Sequence, residues 1–298
     1  MASFFDEIAR NRLKSILLMC IFSAIFFAVV YVLVLFFGGG LLGIGIGAVI
    51  ILFYAAFSYF AGSAVVLRVS GAQPAEKGKY PVLYAAVEGL ASATQIPMPQ
   101  VYVINDPNPN AFATGRNKKH ASVAVTTGLL SMMNKDELQG VIGHEISHIA
   151  DNDIQFMMIA VIFAGAIGLI AAIIRNSLFF GFGGGNNRNG GYIMIIAIVL
   201  SIIAPLIALL IRLAISRRRE YMADANGARI TRSPQSLASA LKKIESYMKD
   251  PNATPVQKAN EMTASLYFSN PLSVKSVMNL FSTHPPIDER IKRLQAMY

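Results

Sequence analysis

Apolar residues collect in four long runs, and polar residues fill the stretches between them. Residues 16–37 are almost unbroken hydrocarbon; Gly38-Gly39-Gly40 then breaks the run, and residues 41–67 continue in kind. Residues 154–174 and 192–215 repeat the pattern around a polar, glycine-rich tip at 181–191. All four runs exceed the ~18 apolar residues that mark a bilayer crossing. The pattern predicts two spanning hairpins, the second readable also as a pair of helices buried against the first, with the last helix kinked at Pro205. The first run is too long for a signal peptide, and no small-residue cleavage site follows it.

Between the hairpins the pattern is that of a soluble domain. Residues 80–94 have helical spacing, and Pro97 and Pro99 stop them. Residues 101–104 read as a strand, 105–110 as a turn, 111–114 as a returning strand, 117–120 as a second turn and 122–126 as a third strand. That order predicts a small antiparallel sheet. Asn134 then stands as an N-cap with Glu137 at the reciprocal capping-box position. Leu138, Val141, Ile142 and Ile149 mark the apolar stripe of a helix ending near Ala150. Gly140 and Gly143 lower its propensity but admit another backbone at close range. Residues 216–298 are polar and helical in pattern, broken by a loop at 250–255.

The expected fold class is a mainly α membrane protein with four transmembrane helices and a small α+β catalytic domain. Its parts are a lead at 1–15, a hairpin at 16–67, a first catalytic part at 68–153, a second hairpin at 154–215 and a second catalytic part at 216–298. Composition agrees: 54% of residues are apolar, 14% are charged and mean hydropathy is +0.49. The net charge of +9 sits beside the apolar runs (Arg12, Lys14, Arg68, Lys77, Lys79, Arg217 to Arg219), without an aromatic platform. It therefore reads as a topology signal that places both ends of the first hairpin in the cytoplasm, and not as a nucleic-acid surface. Cys20, the single cysteine, lies in an apolar run, so a bound metal must use nitrogen and oxygen donors.

The candidate chemistry is at His144-Glu145-Ile146-Ser147-His148, an HExxH pattern. On a helix the two imidazoles lie ~40° apart around the axis and can grip one ion, with Glu145 placed to reach its water. The chain has only four His in 298 residues, so this spacing is improbable by chance. Asp151 and Ile154 occupy the positions where a HExxHxxGxxH site needs Gly and His, which excludes that class. Glu220 on a later helix offers a third ligand, and Asp224, one turn on, a partner for a free ring nitrogen. The competing reading is a charged juxtamembrane face in which Glu220 pairs with Arg217 or Arg218. Residues 110–115 read as a turn and strand, or as an exposed edge (Asn110, Ala111, Phe112) that holds an extended peptide.

These pieces, with His284-Pro285-Pro286 and Glu289-Arg290-Ile291, resemble the HtpX-type membrane metallopeptidases, relatives of the CAAX prenyl endopeptidases. Motif order and the four apolar runs extend the resemblance over essentially the whole chain. It implies a gluzincin-like domain split by the second hairpin, with Zn²⁺ on His144, His148 and Glu220 and Glu145 as general base. It also implies an enzyme of the bacterial inner membrane that works from the cytoplasmic side on misfolded membrane proteins. His284, carried in a family motif, is the candidate second donor to the oxyanion; equally, it opens a helix with Pro in its first turn. Two other classes are a narrow-specificity membrane processing protease and a non-enzymatic scaffold with a structural zinc. No oligomeric state follows from the sequence.

Overall fold

The computed structural model describes residues 24, 40–155, 158, 217–250 and 285–297. The runs 192–215 and, apart from Ala24, 16–37 lie outside the described residues, as do most of 154–174, the tip, and His284. Residues 1–60 with 159–213 form one compact unit, and residues 61–158 with 214–298 form another.

Helix α1 (Gly40–Val69) is 30 residues long, about 45 Å at 1.5 Å per residue. In the first unit it exposes Leu42, Val49, Leu52, Phe53, Phe57 and Phe60. Among the described residues it is the one helix long and apolar enough to cross a bilayer.

The second unit holds a four-stranded sheet and six helices among the described residues. The strands are β1 (Ala72–Pro74), β2 (Gln100–Ile104), β3 (Ala111–Gly115) and β4 (Ala121–Thr126), in the order β1-β2-β4-β3. β1 and β3 are antiparallel to their neighbours, whereas β2 and β4 run parallel. The sheet is therefore mixed, and the expected hairpin between 101–104 and 111–114 does not form. Residues 105–110 are pinned to the end of β4 instead: Thr126 Oγ1 donates to the Asn108 carbonyl at 2.6 Å and accepts from Asn110 N–H at 2.8 Å. Asp106, Asn108 and Asn110 are buried by this, so turn-forming residues serve here as a packed connection.

The helices are α2 (Pro81–Ala93), α3 (Thr127–Met132), α4 (Lys135–Ala150), α5 (Arg217–Thr231), α6 (Pro234–Lys249) and α7 (Ile287–Gln295). α4 carries the expected capping box, with Asn134 Oδ1 accepting from Glu137 N–H and Glu137 Oε2 from Asn134 N–H, both at 2.9 Å. Glu137 also accepts from Ser239 at 2.7 Å and Lys243 at 2.6 Å, which ties the start of α4 to α6. Leu138, Val141, Ile142 and Ile149 are buried in the core, the stripe that spacing predicts.

The close approaches fall where the glycines are. A Cβ at Gly140 would stand 2.7 Å from Leu237 N on α6, and one at Gly227 would stand 2.9 Å from His144 N. Gly227 lies on the same face of α5 as Glu220 and Asp224, so the crossing it permits aims both carboxylates at α4. Gly140→Ala is expected to destabilise the protein by about 1–3 kcal/mol, because backbone must move. Gly89→Ala, in a helix with open space around it, should stabilise by about 0.5–1 kcal/mol. Melting of the two variants in detergent tests the pair; equal shifts would contradict the packing account.

Candidate metal centre

Two helices and one turn build the centre. α4 presents His144 and His148 from successive turns, with their Nε2 atoms 3.1 Å apart. α5 brings Glu220 to 3.7 Å from His144 Nε2 and 3.6 Å from His148 Nε2. One donor atom from each of the three lies within 4.8 Å of the others, and all three residues are buried. Tetrahedral zinc with bonds near 2.0–2.1 Å needs neighbouring donors roughly 3.3 Å apart. The nitrogen and oxygen set present here fits that ion.

Each ring is turned by its other nitrogen. His144 Nδ1–H donates to Asp224 Oδ1 at 2.9 Å, which leaves the Nε2 lone pair facing His148 and Glu220. His148 Nδ1 lies 3.2 Å from Asp153 Oδ2. Asp153 reaches it because Asn152, at φ 60°, turns the chain back on itself directly after α4. Asp224 in turn is gripped by Arg290 of α7, whose Nε donates at 2.8 Å and Nη2 at 2.6 Å. Arg293 stacks on the Tyr221 ring at 3.7 Å and fixes α7 beside α5.

The charges explain what the cluster wants. Burial holds His144 down to about 4. Burial would lower His148 too, but Asp153 and the negative charges of Glu220 and Glu145 outweigh it and take the ring up to about 9. A cluster that draws a proton onto a buried imidazole draws a metal cation by the same field. Asp224 is opposed by burial, yet the Arg290 charge and hydrogen bonds hold it down to about 2. Glu145 is pushed up to about 7 by burial and by Glu220, and the Ala113 backbone N–H donates to it. Asp151, raised to about 6 by burial and Asp153, accepts from Asn226 at 3.0 Å.

β3 forms the edge beside this base. Thr126 N–H donates to the Asn110 carbonyl at 2.9 Å, so by antiparallel alternation Ala111 and Ala113 turn their backbone groups away from β4. Asn110 caps Ala111 N–H with its Oδ1 at 3.0 Å, and the Phe112 side chain is wholly buried. The expected exposed edge at Asn110, Ala111 and Phe112 is instead buried, as is all of β3, because the strand packs beside α4; what it turns away from β4 is main chain. Of the residues singled out in the sequence, His144, Glu145, His148, Glu220 and Asp224 come together. Asn110 to Phe112 run alongside them.

Sequence reasoning missed Asp153 altogether and missed the roles of Arg219 and Arg290. Arg219 was visible only as part of the basic flank and of the motif that carries Glu220, and Arg290 only as part of the 289–291 motif. Arg290→Gln strands the buried Asp224 charge and is expected to cost about 3–5 kcal/mol at pH 7. The Asp224 pKa is depressed from the usual ~3.9. The pair's contribution is thus complete above pH ~4 and disappears as pH falls towards 2. Denaturant unfolding of the two proteins across that range should converge on acidification; a constant gap would contradict the pairing.

The comparisons with known proteins reach the same residues. The model of peptidase family M48 matches residues 79–298. A "Protease HtpX homolog" of Caldanaerobacter subterraneus subsp. tengcongensis is 47% identical, over 97% of this chain and 96% of its own. One of Thermoanaerobacter pseudethanolicus is 48% identical over the same shares. One of Streptococcus thermophilus is 43% identical over 98% of this chain and 99% of its own. Among solved structures, S. mikatae Ste24p superposes with a TM-score of 0.51 at 20% identity, covering 97% of this chain and 66% of that one. That likeness is one of fold, mostly helical. Because the matched region takes in every residue around the paired imidazoles and the relatives run nearly the full length, the chain belongs to peptidase family M48 and is a zinc metallopeptidase.

Proposed function

We propose that this chain is an integral membrane endopeptidase that hydrolyses misfolded or damaged membrane proteins as quality control in the bacterial inner membrane. The observation that carries the chemistry is the buried His-His-Glu set with a second carboxylate beside it. His144 and His148 would hold the zinc through Nε2 and Glu220 through a carboxylate oxygen. Held there, the ion would supply Lewis acidity for lowering the pKa of a water and polarising the scissile carbonyl. Glu145 takes the water's proton on its carboxylate and passes it to the leaving amine. Its burial and its bond from Ala113 support this role, since they hold a base near neutral pH in a fixed orientation. Asp224 keeps His144 in the tautomer that presents Nε2.

The β3 edge receives an extended substrate through the outward Ala111 and Ala113 carbonyls, since the N–H groups of these residues serve Asn110 and Glu145; a main-chain contact of this kind reads little side-chain information. That suits an enzyme that meets many unfolded segments. Asn110, Ala111 and Phe112 contribute main chain and its support, and His284 supplies a second donor to the oxyanion. The fold-level likeness to Ste24p carries no prenylated substrate to this chain.

The finer topology is also proposed: four spans in two hairpins, the second at 154–215 splitting the catalytic domain between 68–153 and 216–298. Basic residues beside the runs support a cytoplasmic active site. Cysteines placed at Asn186 or Asn187 should be labelled from outside the cell, and one at Lys118 should not. Labelling of the tip from the cytoplasm alone would reduce the second hairpin to a buried, non-spanning pair.

Purified variants test the chemistry. Glu145→Gln should retain stoichiometric zinc while casein hydrolysis falls ~10²–10⁴-fold. Glu220→Ala should lose the metal. Zinc-loaded Glu145→Gln with more than about a hundredth of the wild-type rate would remove the general-base role.

A further inference from the structure

Each imidazole is backed by an aspartate, and each aspartate faces an arginine. Behind His144 stand Asp224 and Arg290. Behind His148 stands Asp153, 2% exposed, whose Oδ2 meets the ring Nδ1 at 3.2 Å. Its other oxygen lies 3.8 Å from Arg219 Nη1, an ionic approach too long for a hydrogen bond, and Arg219 is only 9% exposed. Arg219 directly precedes Glu220, so the turn of α5 that delivers the third donor also delivers this guanidinium. A carboxylate and a guanidinium at such depth each suffer heavy desolvation unless they face one another.

The balance of charge supports a role beyond packing. Glu145, Asp151, Asp153, Glu220 and Asp224 are five buried carboxylates, set against the two buried guanidiniums of Arg219 and Arg290. The excess of carboxylates suits the pocket to a cation. Arg219 limits that excess, and Asp153 is the group through which it acts on a ligand.

We propose that Asp153 and Arg219 are positioning residues for His148, a second clamp that holds its Nε2 towards the metal and slows zinc release. The inference rests on the zinc reading above. Asp153 acts directly by accepting the Nδ1 proton, which fixes tautomer and ring orientation together. Arg219 acts through Asp153.

The test is zinc affinity of the full-length protein in detergent, measured by competition with a chromophoric chelator. Asp153→Ala should weaken zinc binding ~10–100-fold, the usual scale for a group that orients a ligand. Asp153→Asn, which keeps an acceptor oxygen, should lose less, and Arg219→Lys should hold zinc better than Arg219→Gln. The double variant Asp153→Asn/Arg219→Gln should be no worse than Asp153→Asn alone, because one residue acts through the other. A purely structural role would instead lower the melting temperature at saturating zinc and leave affinity unchanged in the folded protein. Wild-type affinity in Asp153→Ala, or additive losses in the double variant, overturns the clamp. Glu220→Ala is the control: if it also keeps zinc, the metal reading fails, and if it alone loses zinc, only the clamp fails.

Discussion

Two imidazole nitrogens held 3.1 Å apart inside a ring of carboxylates require a positive charge between them. Everything around the centre answers to that requirement. Asp224 and Asp153 occupy the Nδ1 atoms, so the lone pairs of both rings point inward. Glu220 closes the third side, and burial removes the water that would otherwise screen the field. The arginines limit the excess, because the buried carboxylates without them would repel one another apart.

The requirement explains why the fold needs close helix contacts. Donors on different helices must meet within a few ångströms, and ordinary side chains between α4 and α5 would hold them apart. Gly143 and Gly227 allow the backbones to approach, and Gly140 does the same against α6. Glu137, gripped by Ser239 and Lys243, fixes the far end of α4 in the same frame. The sheet completes the frame by placing Ala113 against Glu145.

Local chemistry was the legible part. The capping box at Asn134, the stripe from Leu138 to Ile149 and the glycine approaches are written within one helix, where spacing alone decides which groups meet. The sheet was misread because turn residues at 105–110 signal a reversal of the chain but not its partner. Only Thr126, sixteen residues on from Asn110, decides that β3 pairs with β4. Asp153, Arg219 and Arg290 were missed for a related reason. A charged residue near a helix end reads as solvated surface until the neighbour that buries it is known, and those neighbours are as much as sixty-six positions away.

The bond from Ala113 to Glu145 belongs to the main chain. It depends on there being an N–H at position 113, which nineteen of the twenty amino acids provide and only proline lacks. The orientation of the base is thereby placed beyond the reach of most single side-chain changes. A bulkier residue at 113 would crowd the core around it, yet the donor itself would remain. Mutational drift can alter what surrounds the base far more readily than it can take away what steadies it.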